Sequence, residues 1–200
     1  MQVKSHVAVK PHRAFDPRRV GSLECAVWVA YYRRKWLSFL RSAVLLTRHT
    51  FGLPWPATLL GAWLVLRANQ FWAPYPNNNP DRARLAMTRF YELLANRHGE
   101  SFDPVRAAQL EVEWWRVHRE NQHRDGSDEQ QLIEALAALY AYVYTVPPTD
   151  VKLAAQLRAL AMRHSDRWVR EGCDPASPLI GEERTALVRS YAGLLAAVHQ

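Results

Sequence analysis

The feature that most constrains the fold is a repeated helix start, in which a side chain able to cap a helix stands directly before a proline. This pair occurs four times, at Asp16-Pro17, Asn79-Pro80, Asp103-Pro104 and Ser177-Pro178. The capping oxygen accepts a backbone N–H that lacks a partner in the first turn, and proline has no N–H to leave unpaired. The pattern therefore predicts four helix N-termini along the chain.

Apolar periodicity extends these starts into seven predicted helices. They run over residues 17–51, 56–72, 80–98, 104–124, 128–146, 149–171 and 178–198. No segment alternates apolar and polar residues between turn signals, so we predict no sheet. The chain of 200 residues has about the length of one domain. We therefore expect residues 16–200 to form a single all-α domain, an orthogonal or antiparallel bundle of about seven helices.

The least polar of these helices, residues 56–72, is predicted to lie at the centre of the bundle. Leu59, Leu60 and Trp63 are among apolar residues that occupy nearly all sides of it, which is typical of a helix covered by others. Its continuous apolar part, residues 57–66, is much shorter than the about 20 residues that a membrane span requires. We therefore expect no transmembrane segment.

The cysteines and the N-terminal segment bear on the compartment. Cys25 and Cys173 are far apart and form no Cys-x-x-Cys pair, so we interpret both as free thiols in a reducing, cytoplasmic environment. Residues 1–15 form a basic segment without the apolar core of a signal peptide. The sequence leaves open whether this segment is ordered.

Several motifs that would name a reaction are absent. The chain has no glycine-rich dinucleotide motif, P-loop, nucleophile elbow or His-Glu-x-x-His pair, and no Cys/His spacing of the zinc-finger kind. These absences argue against nucleotide-binding α/β enzymes, elbow-type hydrolases and zinc proteases. Whether the protein is an enzyme, and on what substrate, is left open by the sequence.

Helical spacing places some polar side chains on apolar faces, where they are candidates for a buried or pocket-lining role. With the aromatic residues beside them, the candidates are Glu24, Tyr31, Arg67, Glu111, Trp115, His118, Gln122 and His164. Buried polar groups need partners, because an unsatisfied one costs about 1–3 kcal/mol. One interpretation is mutual pairing, with Arg67 bound to Glu111 or Glu24.

A second interpretation makes three of these residues metal ligands. Glu111, His118 and His164 would supply one carboxylate and two imidazoles, the ligand set of non-haem iron enzymes, so iron or manganese is the candidate metal. The Glu111-x6-His118 spacing resembles one element of the haem-oxygenase-like di-iron oxidases. The His-x3-Asp-x2-His helix that follows in that family is missing here, and no family is assigned.

These residues lead to the first functional hypothesis, a mostly apolar internal pocket that binds a small molecule with or without a metal. The pocket or buried polar candidates are Glu24, Tyr31, Arg67, Trp115 and Gln122. Such a pocket with a metal would suit oxidoreductase chemistry of the non-haem iron type.

The alternative hypotheses depend on charge. Residues 1–50 hold ten Lys or Arg against Asp16 and Glu24, and Arg34, Arg41 and Arg48 recur every seven residues on the first predicted helix. This basic surface could bind nucleic acid or anionic membrane. The chain shows neither interleaved aromatics nor a recognition helix after a short turn, which disfavours nucleic acid. A non-catalytic protein-interaction or homo-oligomeric module is the other alternative.

Overall fold

The computed structural model describes residues 10–123 and 129–199, and all regular structure within these ranges is helical. A short 3-10 turn at Pro11–Arg13 precedes eight α-helices: α1 (Pro17–Tyr32), α2 (Trp36–Phe51), α3 (Trp55–Trp72), α4 (Pro80–His98), α5 (Pro104–His123), α6 (Glu129–Tyr144), α7 (Pro148–Arg170) and α8 (Leu179–Val198). The all-α prediction is confirmed, with one helix more than expected. None of these described helices combines the length and hydrophobicity that a membrane crossing requires. Residues 1–9 of the predicted basic segment lie outside the described part of the chain.

Helices begin where the cap-proline pairs predict. The Asp16 side chain accepts from the backbone N–H groups of Arg18 and Arg19 as α1 begins at Pro17. Asn79 caps α4 in the same way through the N–H of Arg82, and Asp103 accepts from Val105 at the start of α5 (2.9 Å). The fourth start is displaced by one residue, since α8 begins at Leu179. These contacts satisfy donors that the first helical turn leaves unpaired.

The predicted first helix, residues 17–51, is wrong as a single helix. It ends at Tyr32 and resumes at Trp36, because Arg34 adopts a left-handed conformation with φ 55. The backbone N–H of Arg34 bonds to the carbonyl of Tyr31 (2.9 Å), and that of Lys35 bonds to Ala30 (2.8 Å), which closes the end of α1. The turn lets α2 fold back and pack against α1.

One large hydrophobic core joins α4, α5, α6 and α7 with parts of α1, α3 and α8; Phe90 and Leu136 lie within it. A smaller cluster joins α1, α7 and α8 around Cys25. The close approach of α1 to α8 depends on Gly21. A Cβ atom at this position would lie 2.7 Å from the backbone nitrogen of Val188.

The apolar helix 56–72 exists as α3, but its expected central position is wrong. It buries Thr58, Gly61, Ala68 and Trp72, whereas Leu59, Leu60 and Trp63 are exposed. The physical reason is that α3 is covered mainly on the side that packs against α4. An ideal Cβ at Gly61 would lie 3.3 Å from the ring of Phe90, so the small residues of α3 form the tightly packed side.

Candidate functional site

Glu111 uses both oxygens of its carboxylate within the bundle. The Tyr91 hydroxyl donates to Oε2 (2.7 Å), and the indole N–H of Trp115 donates to Oε1 (3.1 Å). Burial raises the pKa of Glu111, and the hydrogen bond from Tyr91 and the charge of Arg158 oppose that shift. The carboxylate therefore has a structural role between α4 and α5.

His118 has a different partner. Its Nε2 lies 3.0 Å from Oδ2 of Asp166 on α7, and the amide of Gln122 donates to the other oxygen of Asp166 (2.7 Å). These contacts connect α5 to α7 near the surface. Gln122 is exposed, so its expected burial is wrong, because the polar end of α5 faces solvent beside Asp166.

His164 has a third partner, different from those of Glu111 and His118. Its Nδ1 lies 3.0 Å from Oε2 of the exposed Glu182 on α8. The structure thus gives Glu111, His118 and His164 different partners. Across residues 10–123 and 129–199, no three His, Cys, Asp or Glu side chains are grouped so that they could hold a metal ion. The iron or manganese site predicted from the sequence remains a prediction that the geometry does not favour.

Glu24 is buried as expected, but its partner is not the predicted one. Arg158 on α7 donates Nη1 to Oε2 of Glu24 (3.0 Å), and the same nitrogen lies 3.2 Å from the hydroxyl of Tyr191. Arg67 instead donates to Gln70 on its own helix (2.6 Å). The expected pairing of Arg67 with Glu24 or Glu111 is wrong, because Arg67 lies on the outer part of α3 against the ring of Phe71 (4.7 Å).

Two surface grooves, of about 410 and 340 Å³, lie between α4 and α5 and between α6 and α7. Neither is lined by the predicted pocket residues. Among the predicted pocket residues, Trp115 is buried in the core. Tyr31 is half-buried among aromatic rings, with its centroid 6.1 Å from that of Trp36.

Seven of the eleven large hydrophobic residues that are exposed in the described part of the chain lie on α2 and α3. We define the α2–α3 surface as these seven residues: Trp36, Leu37, Leu40, Trp55, Leu59, Leu60 and Trp63. Each of them is about half exposed or more, and Leu37 is 86% exposed. The fully buried residues of these helices, apart from Trp72, are small: Thr47, Thr50, Thr58, Gly61 and Ala68. Larger apolar residues such as Leu46 and Leu64 pack partly buried against the core. A helix on a water-facing surface normally exposes polar residues and buries its large apolar ones.

Charge on these helices is entirely basic. Between residues 25 and 80 the chain has no Asp or Glu, and it has six Lys or Arg: Arg33, Arg34, Lys35, Arg41, Arg48 and Arg67. The guanidinium of Arg48 lies 4.4 Å from the ring centroid of Trp55, where α2 and α3 meet. Arg67 lies 5.8 Å from the ring of Trp63. The segment that carries the α2–α3 surface therefore combines apolar side chains, indole rings and cations, and contributes no carboxylate of its own.

The predicted basic residues do not form a strip on one helix, and Arg48 is the one with a recorded contact to the α2–α3 surface among the described residues. Arg34 is in the turn between α1 and α2, and Arg41 is exposed on α2. Arg48 is half-buried against Trp55. The exposure of the apolar residues on α2 and α3 was not predicted from the sequence. The signal that could have found them is the absence of acidic residues between positions 25 and 80, together with five of the eight Trp in that segment.

Comparison with protein-family models, with curated proteins and with solved structures finds no match to this chain.

Proposed function

We propose that this protein binds reversibly to the surface of anionic membranes through the α2–α3 surface. The observation that carries the proposal is that α2 and α3 expose seven Leu and Trp side chains, whereas their fully buried residues, apart from Trp72, are Thr, Gly and Ala. Trp and Arg are suited to the membrane–water interface, where one part of the side chain contacts acyl chains and another contacts head groups.

The sizes of the contributions support peripheral binding. Burying the exposed half of seven large apolar side chains would contribute about 5–10 kcal/mol. Each cation near an anionic surface adds about 1 kcal/mol. Together they are similar in size to the ~4–15 kcal/mol estimated for lost translational and rotational freedom, as expected for reversible binding. Neither helix needs to cross the bilayer, since an interfacial helix lies in the plane of the head groups.

Charge favours a membrane over the other occupants. A second copy docked through the same face would place two sets of cations together without a carboxylate between them. Nucleic acid would satisfy the cations but would leave Leu37, Leu40 and Leu59 without apolar contact. Cytoplasmic leaflets carry anionic lipids, and the two free thiols fit the reducing compartment that we propose.

Vesicle flotation tests the proposal. We expect the protein to float with vesicles containing phosphatidylglycerol, to remain behind with phosphatidylcholine alone, and to bind less as salt increases. Leu37→Ser and Arg41→Glu should each weaken binding several-fold. Leu153→Ser on α7, which is 59% exposed in the native protein, and Arg106→Glu on α5 are the matched controls and should not.

Two results would count against the membrane proposal. Equal flotation of wild type and the Leu37→Ser variant would remove the α2–α3 surface from the interaction. Absence of flotation, with concentration-dependent self-association that Leu37→Ser abolishes, would assign the face to a second copy. Sedimentation velocity of the same samples distinguishes these results.

A further inference from the structure

Residues 10–14, which we call the N-terminal latch, cross the ends of α6 and α8 and the link between α2 and α3. The backbone carbonyl of Arg13 accepts from Nε2 of His199, just after α8 (2.6 Å). Nη1 of Arg13 donates to the carbonyl of the last residue of α6 (3.0 Å). Pro11 covers the residue that ends α2, since a Cβ atom at Gly52 would lie 2.5 Å from Cβ of Pro11. The latch therefore contacts the hinge of the two helices that carry the α2–α3 surface.

His12 fixes the latch to the fold as a buried ring. It is 4% exposed, and its ring centroid lies 4.5 Å from that of His98 on α4 and 6.1 Å from that of Tyr144 on α6. Neither ring nitrogen of His12, nor Nε2 of His98, has a hydrogen-bond partner among the described residues. Buried polar atoms without partners destabilise the state that buries them. The latch is therefore a weakly held part of the fold.

Within the described ranges, Glu100 is the acidic side chain that contacts the cations of the latch. It lies between α4 and α5, and its Oε1 is 2.9 Å from Nζ of Lys10 while its Oε2 is 3.2 Å from Nη2 of Arg13. Nε2 of His12 lies 3.0 Å from the same Oε1, but the two atoms do not form a hydrogen bond. Two cations face this carboxylate while His12 and His98 are neutral, and four would face it if both were protonated. Repulsion among these cations therefore opposes protonation in the closed state.

The histidines of this cluster remain neutral while the latch is closed. Burial, followed by the charge of His98, lowers the pKa of His12 from 6.5 to about 4, and Glu100 opposes this shift only in part. Burial also lowers the pKa of His98, against a hydrogen bond to the backbone of Phe51 and the charge of Glu100. A released His12 would accept a proton below pH 6.5. Because the released state binds the proton more tightly, a fall in pH favours release.

We propose that acidification releases the N-terminal latch and presents its cations to the membrane beside the α2–α3 surface. Release would separate Lys10 and Arg13 from Glu100 and add the charge of His12, so three cations would become available to anionic head groups. They would lie beside the α2–α3 surface, because Trp55, a residue of that surface, begins α3 shortly after the link that Pro11 covers. The release itself does not depend on the proposed membrane function, whereas its effect on binding rests on it.

Hydrogen exchange of the full chain without vesicles tests the release. The backbone N–H groups of Arg13 and Ala14 bond within the latch, and their protection is corrected for the intrinsic pH dependence of exchange. From pH 7.5 to pH 5, the protonation of His12 should lower this protection about 25-fold. His12→Phe keeps the ring and should show a fall of only a few-fold. His123→Phe, at an exposed histidine stacked on Tyr75, is the matched control and should respond like the wild type.

Two results would overturn the proposed release. Protection that stays constant or increases at pH 5 would mean that Glu100 holds a protonated His12 in the closed state. An undiminished fall in His12→Phe would assign the pH dependence to other groups. If His12→Phe does not fold, His98→Phe decides the question, since it removes the second proton of the stacked pair and should also reduce the fall.

Flotation with vesicles containing phosphatidylglycerol at pH 7.5 and pH 5 tests the effect on binding. We expect the wild type and His123→Phe to bind several-fold more at pH 5, and His12→Phe to gain less. Loss of protection at pH 5 without flotation at either pH would support the latch and overturn the membrane proposal. Flotation with unchanged protection would leave the membrane proposal standing and overturn this one. Loss of protection with the same pH dependence of flotation in His12→Phe would overturn the link between release and binding.

Discussion

Replacing Glu183 by glutamine should stabilise the protein at neutral and alkaline pH and leave its stability almost unchanged at pH 4. Glu183 lies on α8, is 2% exposed, and its Oε2 accepts no hydrogen bond from the described residues. Burial, followed by the negative charges of Glu24 and Asp166, raises the pKa of Glu183 from 4.5 to about 8.

The magnitude follows from linkage between protonation and folding. A carboxyl with a raised pKa in the folded state contributes most to stability below pH 4.5, and this contribution is lost as pH rises towards 8. Because one pKa unit corresponds to about 1.36 kcal/mol, the loss at pH 7 is about 3 kcal/mol. Glutamine does not titrate, so Glu183→Gln should recover about 2–3 kcal/mol at pH 7 after local relaxation. For a chain of this length, Tm should rise by about 5–10 °C.

Urea denaturation followed by circular dichroism at pH 4, 7 and 8.5 measures the effect. The control is Glu182→Gln, because the Glu182 side chain is 52% exposed and pairs with His164 at the surface. Its effect should stay within about 0.5 kcal/mol at each pH. A gain from Glu183→Gln that is the same at all three pH values, or a loss at pH 7, would refute the assignment of a buried protonated carboxyl.

Three further substitutions test other parts of the structure. Arg158→Met should lower the free energy of unfolding by about 3–5 kcal/mol, because Glu24 would remain charged and buried without its partner. In urea denaturation, adding Glu24→Leu should recover most of this loss, and no recovery would contradict the pairing. The contribution of His12 to stability should be lost as pH decreases from 6.5 towards 4, because burial lowers the pKa of His12 to about 4 and the folded state resists a proton that the unfolded state accepts. In thermal melts over this range, His12→Gln should therefore gain stability relative to the wild type as pH falls, and a constant difference between the two would exclude His12 as the source. Gly21→Ala should lower the free energy of unfolding by about 1–3 kcal/mol, because its Cβ would lie 2.7 Å from the backbone of α8. Gly181→Ala is the control, since its Cβ would meet nothing within 4 Å. Equal stability of the two variants would contradict the close approach of α1 to α8.

Helix positions were predictable because their signals are local. Asp16 and Asn79 each cap the helix that begins at the following proline, and the capping contacts involve residues two or three positions away. The break between α1 and α2 was not predictable in this way. Arg34 is left-handed without being glycine or asparagine, and the turn is stabilised by the packing of α2 against α1.

The direction that a helix faces was harder to predict than its existence. An apolar residue on every side of α3 indicates burial, but it does not tell which side is covered. The small residues Thr58 and Gly61 identify the covered side only when α4 is known to pack against it. Their exposed neighbour Trp63 then becomes part of a functional candidate.

Polar partners between helices were predictable only in part. Helical spacing correctly placed Glu24 on a buried face that would require a partner. It could not identify Arg158, because spacing within one helix does not give the register between α1 and α7. The same limit separates Glu111 from His118, which share a face of α5 but bind different residues.

Penetration of the α2–α3 surface into the bilayer is the most direct test of the central claim. A fluorophore sensitive to polarity would be attached to Leu37→Cys in a Cys173→Ser background. Cys25 is 1% exposed, and burial raises its pKa to about 12, so the label should react at position 37. The matched probe is Leu153→Cys on α7. With anionic vesicles, we predict a blue shift and quenching by brominated acyl chains at position 37, and neither change at position 153. Equal responses at both positions, or no response at position 37 when the protein is bound to vesicles, would contradict the proposed mode of binding.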